Sequence, residues 1–196
     1  VEKILEQKVY VQNTAFRKII PDAEIKALLS KRPESGILSI GRVPADSIDA
    51  LRKLAEELAW PVFADVTSGL RLGENCPNRI TYYDQLLIEE LNSAKWGIEA
   101  VWHIGFPRTS KRWLKHWENN PAAQMVWIAD HAERHDQSHN FRWRIESGIT
   151  EFCEQVVFEL RLEESVRVIP LKTQQWLQAS AKVETVMEQH FPLKSE

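Results

Sequence analysis

Short apolar segments alternate with amphipathic segments between Gly36 and Asp130, and this alternation limits the possible folds more than any other feature of the chain. The apolar runs are short and are bounded by Gly, Pro or Asp, which is typical of strands buried on both faces. The segments between them repeat apolar residues at helical spacing. We therefore predict an α/β fold: a Rossmann-like three-layer sandwich whose parallel sheet of five or six strands carries helices on both faces.

The predicted elements define one domain with an N-terminal extension. Residues 1–35 are expected to form an arm and a first helix, and residues 36–196 the Rossmann-like domain. The predicted strands are residues 37–41, 61–65, 99–105, 124–130 and 142–145. The predicted helices are residues 22–30, 48–58, 83–91, 109–117, 148–160 and 173–189. Ligands of such sheets bind beyond the carboxyl ends of the strands, so we expect a site in the loops there.

Composition argues against several classes of function. The 196 residues are 43% hydrophobic with a net charge of −3, and no basic stripe suggests nucleic-acid binding. No apolar run is long enough to cross a membrane, and the N-terminus lacks the pattern of a signal peptide. Two distant cysteines indicate a reducing compartment and no catalytic thiol. Because the chain begins with Val1, we expect a processed or excised piece of a cytoplasmic protein.

Two ligand-binding motifs are incomplete in this sequence. The turn after the first strand has Gly41 but not the other two glycines of a dinucleotide-binding motif. His131, His135 and His139 recur every four residues, so a helix would put three imidazoles on one face, as a transition-metal site requires. The segment is strongly polar and directly follows a strand, which favours a solvated loop. We therefore predict no bound metal and no bound dinucleotide.

The predicted helix after residue 108 has an unusual charge at its start. Thr109 is the expected N-cap, and Lys111 and Arg112 lie in the first turn, where acidic residues are normally favoured. Two cations oppose the field of the helix unless an anion binds there. Free N–H groups, hydroxyls and cations at the end of a strand are suited to a carboxylate or phosphate. The alternative, two solvated cations on an exposed turn, remains open from the residues alone.

Four segments of the chain resemble the central domain of the SEPHCHC synthase family (2-succinyl-5-enolpyruvyl-6-hydroxy-3-cyclohexene-1-carboxylate synthase). They are GFPRTSKRWL at residues 105–114, WPVFADVTSGLR at residues 60–71, YYDQLL at residues 82–87, and DH at residues 130–131 with DQSH at residues 136–139. The four occur in the order that the family has, and the resemblance covers residues 36–145 well.

The resemblance implies a thiamine-diphosphate-dependent transferase as the full-length parent. The family decarboxylates 2-oxoglutarate on thiamine diphosphate and adds the succinyl-semialdehyde unit to isochorismate, in menaquinone and phylloquinone biosynthesis. Separate pyrimidine-binding and diphosphate-binding domains of the same polypeptide hold the cofactor and Mg²⁺, the latter domain through a Gly-Asp-Gly motif. That motif does not occur in this chain. The resemblance therefore implies a fragment that lacks cofactor, is inactive alone, and belongs to a homo-oligomeric enzyme of the cytoplasm, or of the plastid stroma in a plant or alga.

The resemblance also implies which residues bind substrate. Matched by position, Lys111 is the first candidate for holding the anionic substrate, Arg112 the second and Arg108 the third. Their role is to hold the substrate by charge, and no catalytic residue is expected in the chain. A regulatory anion site remains open at a set of four arginines: Arg71, Arg134, Arg142 and Arg144. The alternative of a different class is a stand-alone Rossmann-like module that binds a small molecule or a partner.

Overall fold

The core of the molecule is a five-stranded sheet in which every pair of neighbouring strands is parallel. The computed structural model describes residues 18–73, 76–88, 97–136, 139–163 and 168–191. The strands are β1 (Gly36–Ile40), β2 (Val62–Ala64), β3 (Ala100–Ile104), β4 (Gln124–Ala129) and β5 (Trp143–Glu146), in the order β2-β1-β3-β4-β5. The predicted α/β fold with a parallel sheet is confirmed, and each of the five strands was predicted at its place.

Six α-helices in the described part of the chain cover the two faces of the sheet, and a short 3-10 helix (Ala45–Ser47) precedes the second of them. The α-helices are α1 (Asp22–Ser30), α2 (Ile48–Leu58), α3 (Tyr83–Leu86), α4 (Lys111–Asn119), α5 (Ile149–Leu162) and α6 (Leu171–His190). The third is shorter than predicted within the described residues, and the predicted continuation from residue 89 to 91 lies outside them, as does the predicted arm up to residue 17. None of these helices has the length and hydropathy of a transmembrane segment.

Side chains alternate between two hydrophobic clusters along each strand. On β1, Leu38 and Ile40 belong to the cluster that α1, α2 and α5 cover, whereas Ile37 belongs to the cluster that α3, α4 and α6 cover. Trp102 and Val101 of β3 divide between the two clusters in the same way. The strands are therefore apolar on both faces, which explains why they read as continuous hydrophobic runs.

The first helix is packed into this core. Ile25 and Leu28 of α1 are buried in the cluster that α2 and α5 share. Just before it, the carbonyl oxygen of Lys18 accepts hydrogen bonds from the Gly148 N–H, at 3.0 Å, and from the Ser147 hydroxyl, also at 3.0 Å. The described chain is thus tied to the sheet from Lys18 onward, while the predicted domain boundary at residue 35 stays a prediction.

One row of side chains near the carboxyl end of the sheet positions the site described below. In-register pairing aligns Phe63, Ser39, His103, Trp127 and Arg144 across the five strands. Partners in register on parallel strands point to the same face, and Phe63 identifies it as the face that α3, α4 and α6 cover. Two buried polar residues therefore lie side by side on β1 and β3 in an otherwise largely aromatic row.

Candidate functional site

The turns after β1 and β3 meet at the point where the order of strands reverses, which is the usual ligand crevice of such sheets. The Phe106 N–H donates to the carbonyl oxygen of Arg42 at 3.0 Å. Gly105 has a φ of +91°, and a Cβ there would lie 2.4 Å from the same oxygen. A Cβ on Gly41 would lie 1.8 Å from the Phe106 oxygen. Backbone therefore fills the crevice where a dinucleotide fold holds its pyrophosphate, which agrees with the incomplete glycine motif.

A chain of hydrogen bonds joins the turn after β3 to both β1 and β3. Arg108 Nη1 donates to Ser39 Oγ at 2.9 Å, and Ser39 Oγ lies 2.9 Å from His103 Nδ1. His103 Nε2 lies 3.0 Å from the carbonyl oxygen of Phe106, which can only accept. His103 must then carry its proton on Nε2, and Ser39 must donate to Nδ1. The chain fixes the segment of residues 105–110, which we call the β3–α4 turn.

His103 is neutral in this arrangement. The pKa of His103 is lowered to about 3, mainly by burial and also by the Arg108 cation, which together outweigh the hydrogen bond to Phe106 and the charge of Asp65 that raise it. The edge of the ring packs on Trp127, with the ring centroids 4.8 Å apart. A neutral imidazole that uses both nitrogens in hydrogen bonds has no proton to exchange with a substrate, so we assign His103 a positioning role.

Arg108 is the most unusual residue of the site, because its side chain is only 4% exposed. Its Nη1 also donates to the carbonyl oxygen of Phe63, and its guanidinium lies between the rings of Tyr83, at 4.4 Å, and Trp113, at 4.6 Å. Burial lowers the pKa of Arg108. Nε and Nη2 are buried with no hydrogen-bond partner among the described residues. The third substrate-binding candidate thus lies inside the protein, and its role toward substrate stays a prediction.

Asp65, directly after β2, anchors the β3–α4 turn from the other side. Its Oδ1 accepts from the N–H and hydroxyl of Thr67, at 3.0 and 2.8 Å, and its Oδ2 from the N–H and hydroxyl of Thr109, both at 2.9 Å. Burial raises the pKa of the carboxyl, but these four hydrogen bonds together outweigh it and hold the pKa below its ordinary value.

The prediction that Thr109 caps α4 is wrong: the N–H and hydroxyl of Thr109 both donate to Asp65, and the N-cap is the next residue. Ser110 Oγ accepts from the Trp113 N–H at 3.1 Å. The same hydroxyl donates to Asp84, on α3, because a hydroxyl can donate and accept at once.

The two cations in the first turn of α4 have different surroundings. Arg112 Nη1 pairs with Asp84 Oδ2. Lys111 is exposed and has no ion-pair partner among the described residues. The turn contains no acidic residue, as the sequence indicated. Of the two leading substrate-binding candidates, Lys111 is therefore the one whose charge is available to an anion, and neither role is tested by the structure.

A cavity of about 310 Å³ opens beside the β3–α4 turn. Its lining includes four large aromatic residues, which are Trp113, Trp117, Trp127 and Phe141. The buried Arg108 also lines the cavity, as do Arg134 and His135 of the loop after β4.

The four arginines of the possible regulatory site do not come together. Arg71 follows β2 and stacks on Tyr83, 4.9 Å from the ring centre, at the carboxyl end of the sheet. Arg142 precedes β5 and so lies at the opposite end. Arg144 donates to main-chain oxygens of residues 131 and 133. A single anion cannot contact all four, although Arg134 does line the cavity.

Residues 130–136, which we call the histidine loop, follow β4 without helical structure, as the solvated-loop interpretation expected. His131, Glu133 and His135 nevertheless each offer a ligand atom within 4.8 Å of the others, whereas His139 lies outside the group. Only the three histidines, on one face of a helix, were considered as ligands from the sequence, and Glu133 was not included.

Sequence reasoning also missed Ser39, His103, Asp65 and Asp84 as parts of the site. The available signal was polarity at unexpected positions: Ser39 and His103 interrupt apolar strands, and Asp65 ends one. Their partners are distant along the chain, so only the register of the sheet identifies them.

Comparison with known proteins agrees with this architecture. A family model described as "Middle domain of thiamine pyrophosphate" matches residues 3–194. A 2-succinyl-5-enolpyruvyl-6-hydroxy-3-cyclohexene-1-carboxylate synthase of Synechococcus elongatus is 26% identical over 177 residues, which are 88% of this chain and 29% of that protein. The synthase of Rubrobacter xylanophilus is 30% identical over 146 residues, 72% of this chain and 25% of that protein.

A plant protein shows the same likeness. Protein PHYLLO, chloroplastic, of Arabidopsis thaliana is 31% identical over 136 residues, 65% of this chain and 8% of that protein. The chain thus spans less than a third of the length of each of these relatives. Because the family model covers almost the whole chain and the parallel α/β sheet agrees with it, the chain belongs to the family of middle domains of thiamine pyrophosphate enzymes.

Proposed function

We propose that this chain is the central domain of a SEPHCHC synthase. The parent enzyme decarboxylates 2-oxoglutarate on thiamine diphosphate and adds the resulting unit to isochorismate, for menaquinone or phylloquinone biosynthesis. The observation that carries the proposal is the likeness to synthases of this name over 88% and 72% of the chain. The proposed setting is the cytoplasm, or the plastid stroma if the source is a plant or alga, since one relative is named chloroplastic.

The described residues do not fit thiamine diphosphate or its Mg²⁺. Backbone of residues 42 and 106 fills the crevice at the strand reversal. Both oxygens of Asp65 accept hydrogen bonds from threonines, and Asp84 holds Ser110 and Arg112. No Gly-Asp-Gly sequence exists in the chain. We therefore assign the cofactor and the metal to the pyrimidine-binding and diphosphate-binding domains of the same polypeptide. These domains are the proposed partners of this chain, and the full-length enzyme is proposed to be a homo-oligomer.

The proposed contribution of this domain is to present a cation at a fixed position. Asp65 holds Thr109, and Asp84 holds Ser110 and Arg112, so the start of α4 is fixed to β2 and α3. Lys111 lies between the anchored Ser110 and Arg112, and its charge has no ion-pair partner among the described residues. In the proposal it attracts the carboxylates of isochorismate and holds that substrate for addition, with Arg112 as the second cation.

Two experiments test the proposal. The purified chain should show no turnover of 2-oxoglutarate and isochorismate with thiamine diphosphate and Mg²⁺, whereas the parent polypeptide should form the SEPHCHC product. Product formed by the chain alone would contradict the fragment interpretation. A parent polypeptide that folds and binds thiamine diphosphate but does not use isochorismate would contradict the assigned reaction.

A stand-alone Rossmann-like module is the second candidate, and one observation favours it. The described residues bury a core on each face of the sheet, so they need no further domain to complete it. This candidate predicts that mass spectrometry in the native host detects a polypeptide of about the chain's own 22.8 kDa. The synthase proposal predicts one of several domains.

A further inference from the structure

The histidine loop gathers three side chains whose chemistry the proposed reaction does not use. His135 Nε2 lies 3.0 Å from Glu133 Oε2, and the ring centroids of His131 and His135 are 5.5 Å apart. One ligand atom of each residue lies within 4.8 Å of the other two. In a tetrahedral zinc site, bonds of about 2.0–2.1 Å place the ligand atoms about 3.4 Å apart. The side chains of Glu133 and His135 are exposed and can rotate toward His131 to reduce that difference.

The ring nitrogens of His131 provide a second, independent observation. Both of its ring nitrogens are shielded from water and have no hydrogen-bond partner among the described residues. Buried polar atoms of side chains are nearly always paired, because an unpaired one loses its water without compensation. A metal ion bound to one nitrogen removes half of this deficit, and the loop provides Glu133 and His135 beside it.

The backbone and ring of the loop are already held in place. Arg144 Nη2 donates to the carbonyl oxygen of His131 and, at 2.9 Å, to that of Glu133. The His131 ring stacks on Phe106, 4.3 Å between centroids, and the Arg42 guanidinium lies 4.2 Å from the centre of the Phe106 ring. Outer groups that orient ligands in this way raise metal affinity, since less order must be imposed on binding.

We propose that His131, Glu133 and His135 form a binding site for a divalent transition-metal ion, with Zn²⁺ the best match. Two imidazoles and one carboxylate suit Zn²⁺, Co²⁺ or Ni²⁺ and do not suit Mg²⁺, which prefers oxygen ligands. This site goes beyond the proposed function, which assigns no metal ion to this chain. Because His135 also lines the cavity beside the β3–α4 turn, a bound ion fixes one wall of that cavity.

The test is a titration of the chelator-treated chain with ZnCl₂ by isothermal calorimetry, at fixed neutral pH. The proposal predicts one Zn²⁺ per chain with a Kd in the micromolar range or tighter, and no competition from excess MgCl₂. His131→Ala, His135→Ala and Glu133→Gln should each weaken binding about 10-fold or more. Circular dichroism and thermal melts of each variant check that the fold is retained. Glu133 is 72% exposed and His135 35%, so these two changes should leave the fold intact even if His131→Ala does not.

His139→Ala is the matched control. It removes a nearby histidine that a helical arrangement would have used but that lies outside the group. Binding by this variant within about twofold of wild type supports the site. The proposal is overturned by a wild-type chain that binds no Zn²⁺ in this range. It is equally overturned if Glu133→Gln and His135→Ala bind as wild type, or if His139→Ala loses binding as they do.

Discussion

Hydrogen bonds connect the β3–α4 turn to four strands, whereas the histidine loop beside it leaves both ring nitrogens of His131 without partners. The turn is tied to β1 by Ser39, to β2 by Asp65 and Phe63, to β3 by His103, and to β4 by Trp127 Nε1, which donates to the Gly105 oxygen at 2.9 Å. These bonds hold the first segment, and with it the start of α4, although Nε and Nη2 of Arg108 have no hydrogen-bond partner among the described residues. The second has free ligand atoms on a backbone that is held from outside.

The difference separates two kinds of polar residue at the same end of one sheet. Polar groups of the turn act on each other, so their removal should reduce stability. Glu133 and His135 of the loop are exposed, so their removal should reduce binding and leave stability nearly unchanged. Stability and binding therefore provide separate tests of the two segments.

The largest effect on stability should come from Arg108→Ala. The change removes a buried side chain packed between Tyr83 and Trp113, together with its hydrogen bonds to Ser39 Oγ and the Phe63 oxygen. We expect the free energy of unfolding to fall by about 3 kcal/mol, from lost packing and two lost buried hydrogen bonds. Denaturant titration of the chain measures it. Arg112→Ala, which breaks an exposed pair, is the control and should cost about 1 kcal/mol or less. Equal effects of the two changes would contradict the assignment.

Asp65→Asn should have the next largest effect, and that effect should depend on pH. An amide cannot accept from all four donors of Thr67 and Thr109, so we expect a loss of about 2 kcal/mol at neutral pH. The folded-state pKa of Asp65 is depressed, so its contribution is present above the unfolded-state pKa and is lost as the pH falls through the folded one. Wild type and variant should therefore converge in acid. Parallel stability curves down to acidic pH would exclude this role for the charge.

Arg144→Ala tests whether the histidine loop is held from outside. Loss of its hydrogen bonds to the oxygens of His131 and Glu133 should weaken Zn²⁺ binding about 10-fold. Stability should change by only about 1 kcal/mol, since Arg144 is partly exposed. Arg142→Ala, on the same segment but at the opposite end of the sheet, should leave Zn²⁺ binding unchanged. Calorimetry on both variants gives the comparison, and an unchanged Kd for Arg144→Ala would show that the loop needs no outside support.

The sequence was sufficient for the fold because the fold depends on local patterns. Each strand was a short apolar run between turn residues, and each helix repeated apolar residues at its own period. The alternation of strands and helices between Gly36 and Asp130 predicted the order of the elements. The parallel sheet followed from the helices that connect successive strands.

The site was less predictable because its contacts join residues far apart in the chain. Thr109 has the right chemistry for an N-cap, but it donates instead to Asp65, which lies 44 residues earlier, and Ser110 caps the helix. Arg108 sits among cations in sequence, yet the sheet offers it Ser39 and the Phe63 oxygen, so it folds inward. Neither partner is visible without the register of the strands.

The histidines show that a correct local prediction can still miss a group of side chains. Their four-residue spacing suggested a site only if the segment were helical, and the segment was correctly predicted to be a loop. The loop itself then brings Glu133 between His131 and His135, an arrangement that no periodic pattern describes.

The central claim, that the anchored turn presents Lys111 to the anionic substrate, is tested most directly by Lys111→Ala in the parent enzyme. Loss of a charge-assisted contact should slow the isochorismate step about 10- to 150-fold. Decarboxylation of 2-oxoglutarate should be nearly unchanged, and the free energy of unfolding should change by about 0.5 kcal/mol. Lys115→Ala, an equally exposed cation one turn later on α4, is the control and should leave both half-reactions unchanged. Pre-steady-state kinetics resolves the two half-reactions. An isochorismate step within about twofold of wild type for Lys111→Ala would contradict the account.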